Sequence, residues 1–202
     1  APFTVVDSAT AQALHDASDH LPVYADFQGY PVLSAEIALD LGSAIVGGVA
    51  AAELTVANTA SPPADELDYS FTAPSGFSAP TGSFSGEPTD PGFPHPIEHA
   101  AVATGVHGGD LTISIDDPDR PAWLVELTAT VLAHAVPSVD GAELLTQTAL
   151  DLGEVAAGDT ASADAVVHNL FDDSFQASLE VWEAELEGDP RFFLPGGFSP
   201  FL

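Results

Sequence analysis

The chain contains no cysteine, no methionine and no lysine, and each absence narrows what it can be. Without cysteine no disulfide can hold the fold together, so burial of apolar side chains has to stabilise it. Without lysine no lysine–asparagine side-chain crosslink, of the kind found in some surface proteins, can form. The sequence also shows no basic leader and no apolar run long enough to span a bilayer. We therefore expect a secreted chain whose signal has been removed, or a proteolytic fragment, which would look the same.

Basic residues are almost missing as well. The two arginines, Arg120 and Arg191, face 31 aspartates and glutamates, which gives a formal net charge of −29. This charge repels phosphate backbones and anionic lipid surfaces, so it excludes nucleic-acid binding and argues against membrane insertion. Self-repulsion destabilises the fold in dilute buffer and weakens in salt, where the screening length is about 3 Å at 1 M. Either the source organism is salt-loving or the carboxylates hold divalent cations; we favour salt, because the acidity is spread over the whole chain.

One segment occurs twice. Leu39-Asp40-Leu41-Gly42 returns as Leu150-Asp151-Leu152-Gly153, and the match continues at a constant offset without a gap. The further matching pairs are Gly47 with Gly158, Glu53 with Asp164, Val56 with Val167, and Asn58 with Asn169. Self-similarity at domain length indicates tandem copies of one module, because the repeats of solenoids are shorter.

Apolar residues alternate with polar ones in short runs between 17 glycines and 17 prolines, which predicts strands. The strongest prediction is a hairpin that joins residues 111–115 to residues 123–131 through a turn at 116–121. Asp7-Ser8 predicts the cap of a short helix over residues 9–17. Residues 73–99 show no clear period, so loops with one or two short strands are expected there. The second copy is predicted to contain strands at 163–167 and 175–181.

The repeated segment and the predicted hairpin together resemble a known family. Leu39-Asp40-Leu41-Gly42, the stretch at 110–121 and the closing Val125-Glu126-Leu127-Thr128-Ala129-Thr130 resemble the bacterial choice-of-anchor-D repeats, which are immunoglobulin-like modules related to ASH domains. The likeness covers most of residues 35–136, and its first half recurs over 145–202. It implies a β-sandwich of about a hundred residues, use outside the cell or at its envelope, and no catalytic residues.

The expected fold is therefore all-β, with two tandem immunoglobulin-like sandwiches. Residues 1–28 are an N-terminal extension, 29–137 the first sandwich, linked through 137–141, and 138–202 a second that is apparently incomplete, since nothing in it corresponds to the hairpin. A truncated polypeptide would explain this, as would a copy that closes with fewer strands. Alternatively, a neighbouring molecule supplies a strand to the open edge, with residues 2–6 or 21–25 as candidate donors, and the chains form a filament.

Two groups of residues are candidates for chemistry. His95-Pro96-Ile97-Glu98-His99 fits H-x-x-E-H, a zinc-protease pattern that needs both histidines on one face of a helix. The flanking prolines and the absence of a predicted helix favour loop histidines instead, with a surface metal contact through His95 or His99 as the second interpretation. Asp116, Asp117 and Asp119 could bind calcium, or they could cap backbone amides in the hairpin turn, with Arg120 paired to one of them.

Aromatic residues complete the list of features. Trp123 and Trp182 are predicted to make core or inter-module contacts rather than sugar platforms. A C-terminal cluster is predicted to be buried within the module or against a partner; it contains Phe192, Phe193, Phe198 and Phe201.

No arrangement for nucleophilic catalysis and no phosphate-binding loop is present, so we expect no enzyme and no cofactor apart from possible calcium. The predicted function is a structural subunit of an extracellular filament, sheath or surface array on a prokaryotic cell, self-assembled by strand pairing. The alternative is an accessory module of a larger secreted protein that binds a surface glycan or another protein.

The charge analysis gives a first prediction. The melting temperature should rise steadily from 0.1 to 2 M NaCl, because salt screens repulsion among the carboxylates. Calorimetry in NaCl and in CaCl2 at equal ionic strength checks this: equal melting temperatures indicate screening alone, whereas an extra rise in CaCl2 indicates bound calcium. A melting temperature that does not depend on NaCl would contradict the salt interpretation.

Overall fold

The computed structural model describes residues 7–17, 29–171 and 173–194. Over these ranges one helix precedes a series of strands. In chain order these are α1 (Ser8–Ala17), β1 (Leu33–Ser34), β2 (Ala38–Ile45), β3 (Val49–Asn58), β4 (Leu67–Thr72), β5 (Phe77–Ser78), β6 (Phe84–Gly86), β7 (Phe93–Ala100), β8 (Gly105–Ile115), β9 (Ala122–Leu132), β10 (Pro137–Ser138) and β11 (His168–Asn169).

The predicted helix forms and begins at its predicted cap. The side-chain oxygen Oδ1 of Asp7 accepts the backbone N–H groups of Ala9 at 2.9 Å and Thr10 at 3.0 Å. These groups have no partner inside the helix, so the aspartate satisfies them and its negative charge lies at the positive end of the helix dipole. These hydrogen bonds lower the pKa of Asp7.

Residues 33–132 fold into a sandwich of two sheets. One sheet has the strand order β1-β3-β7-β5 and the other the order β2-β9-β8-β4-β6. Every pairing within them is antiparallel except that of β2 with β9, which is parallel. Successive strands such as β2 and β3 lie in different sheets, so the chain crosses repeatedly between the layers, as in immunoglobulin-like sandwiches. The predicted all-β sandwich is confirmed.

The core lies between the inner faces of the two sheets, because side chains alternate along each strand. The residues that are fully buried in it include Leu54, Ile97, Leu111, Ile113, Val125 and Leu127. Burying such a side chain contributes about 1.5–3 kcal/mol, so this layer supplies the stability that a chain without disulfides needs.

The predicted hairpin is confirmed as β8 and β9. The two strands pair along their whole length, with Leu111 opposite Val125, and their inward residues alternate as predicted. The turn between them occupies residues 116–121, where Asp117 Oδ1 accepts the N–H of Asp119 at 2.8 Å.

The middle of the first module differs from expectation. The short strands expected within residues 73–99 form as β5 and β6, but the region also contains most of the eight-residue strand β7, which was not predicted. Pro94 and Pro96 argued against a strand at β7, because proline has no backbone N–H group to donate to a neighbouring strand. The two prolines are two residues apart, so their backbone nitrogens point to the same edge of β7. Strand β3 pairs with one edge of β7 along its length, whereas β5 pairs with the other edge only at His99 and Glu98. Their missing N–H groups therefore fit at a stretch of β7 that, within the described residues, has a partner strand on one side only.

The second copy also differs from expectation. The strands predicted at 163–167 and 175–181 do not form. The two-residue strand β11 lies between these ranges, and Gln176 forms an isolated bridge with Ala133. The predicted linker at 137–141 begins instead as β10, which pairs with β11. Apolar alternation marks the face that a strand would bury, but a strand forms only beside a partner. Among the described residues, 163–167 have no partner strand, and 175–181 have only isolated bridging contacts such as that of Gln176 with Ala133. The proposed boundary at residue 138 stays a prediction.

Asn58 joins the two sheets of the first module. Its side chain is 1% exposed and makes four hydrogen bonds to the backbone. Oδ1 accepts the N–H groups of Val32 at 3.1 Å and Ala60 at 3.2 Å, and Nδ2 donates to the carbonyls of Asp65 at 3.0 Å and Gly86 at 3.1 Å.

This arrangement predicts a large effect for Asn58→Ala and a small one for the matched change Asn169→Ala. Removal of the Asn58 side chain leaves buried backbone groups without partners, each at a cost of about 1–3 kcal/mol. Asn169 is only half-buried, so its loss should cost about 1 kcal/mol or less. Urea unfolding of both variants at one salt concentration measures this, and equal losses would contradict it.

Candidate functional site

The H-x-x-E-H segment lies on strand β7. His95, Ile97 and His99 point into the core, whereas Glu98 is exposed on the opposite face. The zinc-protease mechanism needs the histidines and the glutamate to act on one metal-bound water, which a strand with this alternation prevents. The expectation of loop histidines was also wrong: both side chains are core residues.

His95 lies within a cluster of aromatic rings. Its Nε2 is 2.7 Å from the hydroxyl oxygen of Tyr69, and its ring is 4.8 Å from that of Phe71 and 4.7 Å from that of Phe84. Burial lowers the pKa of His95 and raises the pKa of Tyr69, so both groups are held neutral. A neutral hydrogen-bonded pair is a satisfied polar contact in the core, not a poised catalytic base.

His99 has a different environment. It is 5% exposed, and neither ring nitrogen has a hydrogen-bond partner among the described residues. Its ring packs 4.6 Å from that of Phe77 and 4.7 Å from that of His107 on the opposite sheet. The two imidazoles lie beside a surface cavity of about 280 Å³. A buried polar atom without a partner is costly, so this end of the sandwich is the strongest small-ligand candidate.

The predicted calcium residues lie in the hairpin turn and act as backbone caps. Asp117 caps Asp119, while Asp116 Oδ1 accepts the N–H of Asp68 at 3.1 Å. Burial and then the charge of Asp116 raise the pKa of Asp68. Over the described ranges, no three histidine, aspartate or glutamate side chains are grouped closely enough to hold a metal. The geometry gives the calcium hypothesis no support, and it stays a prediction.

Arg120 does not pair with these carboxylates. Its guanidinium lies over the indole of Trp123, 5.3 Å from the ring centre. Trp123 is half-buried against the core, and its indole N–H points to the carbonyl of Glu36 at 3.3 Å. The prediction of a core contact is therefore confirmed for this tryptophan.

The second copy repeats the local geometry of the first. Gly42 and Gly153 have φ angles of 76° and 69°, and each donates its N–H to the aspartate two residues before it, at 2.9 Å and 2.8 Å. Asn169 Oδ1 accepts the N–H of Val136 at 2.9 Å, and its Nδ2 donates to the carbonyl of Ala177 at 3.1 Å, as Asn58 does with its own surroundings. The sequence repeat is therefore also a repeat of turns and caps.

The two copies differ in what covers them. Leu39 is 9% exposed because β2 packs on the core and pairs with β9. Its counterpart Leu150 is 50% exposed, and residues 150–156 form no strand. Other exposed apolar side chains in this copy are Leu144, Val155, Val166, Phe171, Trp182, Leu186, Phe192 and Phe193. The described part of the second copy thus presents the face of a module without the strands that would cover it.

These exposures correct two predictions. Trp182 is 73% exposed, so it is not a core residue of the described part of the chain, and its predicted inter-module contact stays a prediction. Phe192 and Phe193, at 57% and 66% exposed, are not buried within the described part of the module. Phe198 and Phe201 lie outside the described residues, as do the candidate donor segments 2–6 and 21–25. The predicted burial of the C-terminal cluster against a partner remains untested.

Sequence reasoning missed the partners of the histidines. Tyr69 and His107 were not singled out, although each lies on a strand with apolar alternation. The alternation of side chains along a strand was the usable signal. His95 and His99 are each two residues from the apolar Ile97, so all three point inward once β7 is recognised as a strand.

Comparison with known proteins shows weak likenesses. No known protein family and no curated protein matches the sequence. Several solved structures resemble part of the chain, among them the following three. A Porphyromonas gingivalis W83 protein of unknown function is 17% identical over 50% of this chain and 47% of its own, with a TM-score of 0.42. An ASH/PapD-like domain of human CEP192 is 9% identical over 56% and 94%, also with a TM-score of 0.42. The Vibrio cholerae VesB protease is 14% identical over 48% and 31%, with a TM-score of 0.35.

These likenesses do not assign the chain to a family. The chain spans about half the length of the Porphyromonas protein and about a third of the Vibrio protease. Along the ranges that the structure describes, no helix is long and apolar enough to cross a membrane.

Burial of His95 predicts a pH-dependent stability. The folded state holds the pKa of His95 below its value of 6.5 in the unfolded chain, so unfolding takes up a proton below that pH. The stability that depends on neutral His95 is thus present above pH 6.5 and is lost as the pH falls from 6.5 toward the folded pKa, by at most about 1.4 kcal/mol per pH unit.

The measurement is urea unfolding from pH 7.5 to 5.5 in the wild type and in the double variant Tyr69→Phe/His95→Phe. The variant should lose less stability over this range, because it has no imidazole to protonate in the core. His134→Gln, which removes an exposed histidine, serves as the control and should follow the wild type. Parallel curves for the wild type and the double variant would contradict the assignment.

Proposed function

We propose that this chain is a non-catalytic structural module that assembles by β-strand pairing, as a subunit of an extracellular filament, sheath or surface array. One observation carries the proposal: the second copy has the turns and caps of the first, yet residues 149–156, which correspond to β2, form no strand and have no neighbouring strand among the described residues. The proposal therefore concerns what covers that copy.

The first copy indicates what is needed. Strand β2 is the end strand of its sheet and is held there by the parallel pairing with β9. The corresponding residues 149–156 have the same bulge-forming glycine but no strand beside them. A strand of another molecule that lies parallel to them would complete the ladder and cover Leu150, which is the recognition mode called strand addition.

The exposed surface fits a protein partner better than a small molecule. Scattered apolar residues are normal on a protein surface, but here large ones recur from Leu144 to Phe193 within one stretch of chain. A partner that covers these side chains would bury apolar surface. It would also form hydrogen bonds with the backbone groups at the exposed strand edge. A contact of this kind between copies that does not close on itself produces a filament.

The charge and the sequence resemblance support a place at the cell surface in a salty medium. A net charge of −29 opposes close packing of copies in dilute buffer, but screening at about 1 M salt reduces the repulsion to a range of about 3 Å. The resemblance to choice-of-anchor-D repeats points to envelope-associated use. Assembly should therefore require salt.

A second candidate is an accessory module that binds a surface glycan. The observation that favours it is the exposure of Trp182 and Phe171, at 73% and 72%, because exposed aromatic faces can stack on sugars. A glycan array separates the two functions: specific sugar binding by monomeric protein favours the accessory module.

The assembly proposal predicts different effects for two matched substitutions. Leu150→Asp places a carboxylate in the proposed interface, whereas Val106→Asp makes the same charge change on β8 of the first module, where the side chain is 66% exposed. Leu150→Asp should weaken association at least about tenfold, because burial of an unpaired carboxylate costs more than about 1.4 kcal/mol. Val106→Asp should assemble like the wild type.

Light scattering in 2 M NaCl measures the assembly size, and electron microscopy shows whether regular fibres form. Monomeric wild-type protein at every concentration, or equal weakening by both substitutions, would overturn the proposal. Deletion of residues 1–6 tests that segment as the donor; unchanged polymerisation would dismiss it in that role.

A further inference from the structure

We propose that His99 and His107 form a two-histidine site for a divalent transition-metal ion, of the class of Zn²⁺, Ni²⁺ or Cu²⁺, which links the two sheets. The inference does not depend on the proposed assembly, because both residues lie in the first module. Four observations lead to it: an unpartnered imidazole, a second imidazole with a fixed tautomer, the spacing of the two rings, and the adjoining cavity.

His99 supplies the unpartnered imidazole. Its side chain is 5% exposed, and both Nδ1 and Nε2 are buried with no hydrogen-bond partner in the part of the chain that the structure describes. A neutral imidazole has one N–H and one nitrogen lone pair, and the lone pair is a strong ligand for transition metals. The loop at Gly76 lies against this ring: a Cβ added at Gly76 would be 3.3 Å from Cε1 of His99.

His107 supplies the imidazole with a fixed tautomer. Its Nε2 is 2.7 Å from the backbone carbonyl oxygen of Ala103. A carbonyl can only accept, so Nε2 carries the hydrogen, and Nδ1 of the neutral ring is left with the lone pair. Metal-binding histidines typically donate their second nitrogen to a carbonyl or carboxylate in this way, which fixes the ring orientation.

The two rings are close enough for one ion to contact both. Their centroids are 4.7 Å apart and their planes are inclined at 33°. A metal–nitrogen bond is about 2.0–2.1 Å long, so one ion can bind two imidazole rings that lie at this separation. The adjoining cavity of about 280 Å³ has room for the ion and its remaining water ligands; Ser75, Phe77, Val102, Ala103 and Gly108 help to line it.

Charge and ligand type determine which ion fits. The net charge of −29 raises the local concentration of every cation, calcium and magnesium included. Those two ions prefer oxygen ligands, whereas imidazole prefers zinc, nickel and copper. A large excess of Mg²⁺ therefore occupies the surface carboxylates and leaves the histidine pair available.

Such an ion would crosslink the two sheets of the first module. His99 is on β7 of the four-stranded sheet and His107 is on β8 of the five-stranded sheet. A ligand that binds only the folded state raises the melting temperature, so the bound ion should stabilise a sandwich that has no disulfide.

The test is calorimetric titration of the full chain with Zn²⁺ in 2 M NaCl and 20 mM MgCl2, alongside melting curves with and without Zn²⁺. The variants are His99→Phe, which keeps a ring against Phe77, and His107→Gln; His134→Gln removes an exposed histidine as the control. Both site variants should bind at least about tenfold more weakly and lose the rise in melting temperature, because a ligand is missing. The control should keep one ion per chain.

Two outcomes would overturn the site: a wild type that binds no zinc under these conditions, and a His107→Gln variant that binds as tightly as the control. If His99→Phe fails to fold, His107→Gln decides alone, because its side chain is only half-buried. Electron paramagnetic resonance of the Cu²⁺-loaded wild type gives an independent check. Couplings to two imidazole nitrogens, reduced to one in His107→Gln, support the site, and one coupling in the wild type excludes it.

Discussion

The parallel pairing of β2 with β9 is the contact on which closure of the module depends. β2 comes early in the module and β9 at its end, and β2 has no other neighbour in its sheet. Strand β2 therefore cannot join the five-stranded sheet until β9, the last strand of that sheet in the chain, is present. This non-local requirement explains why one copy of the repeat is a sandwich while the described part of the other is an open chain with the same turns.

The two copies share the turns that depend on nearby residues, but they differ in the sheet pairing that depends on distant residues. The positive φ of Gly153 and the cap at Asp151 need only residues nearby in sequence, and both form. The hydrogen bonds of Asn169 also form, although one of them reaches Val136, 33 residues earlier in the chain. The sheet needs partners from far along the chain, and it does not form. In the strand addition that we propose, the turns of the second copy are already set, so the entropy of ordering them would not be lost again on binding.

The same division explains what the sequence predicts. The hairpin and the helix cap are local patterns, and each was predicted correctly. Strand β7 was missed because Pro94 and Pro96 argue against a strand unless one side of it is free, a fact of topology. The strands at 163–167 and 175–181 were predicted wrongly because alternation reports which face would be buried, not whether a partner exists. The pairing of His99 with His107 joins two sheets, so no spacing in the sequence predicts it.

Charge acts on all of these contacts together. A chain with 31 acidic residues, no lysine and no disulfide has few means of holding a fold except its core and its partners. Exposed ion pairs add little: Arg191 bridges Asp189 at 2.6 Å, but its side chain is 86% exposed. The free energy of unfolding of a protein is a small difference between large terms, so a neutralising cation or a covering strand would change it by a large fraction. Salt, the metal that we propose at the histidine pair and the strand that we propose beside the second copy would each add stability that the sequence alone does not provide.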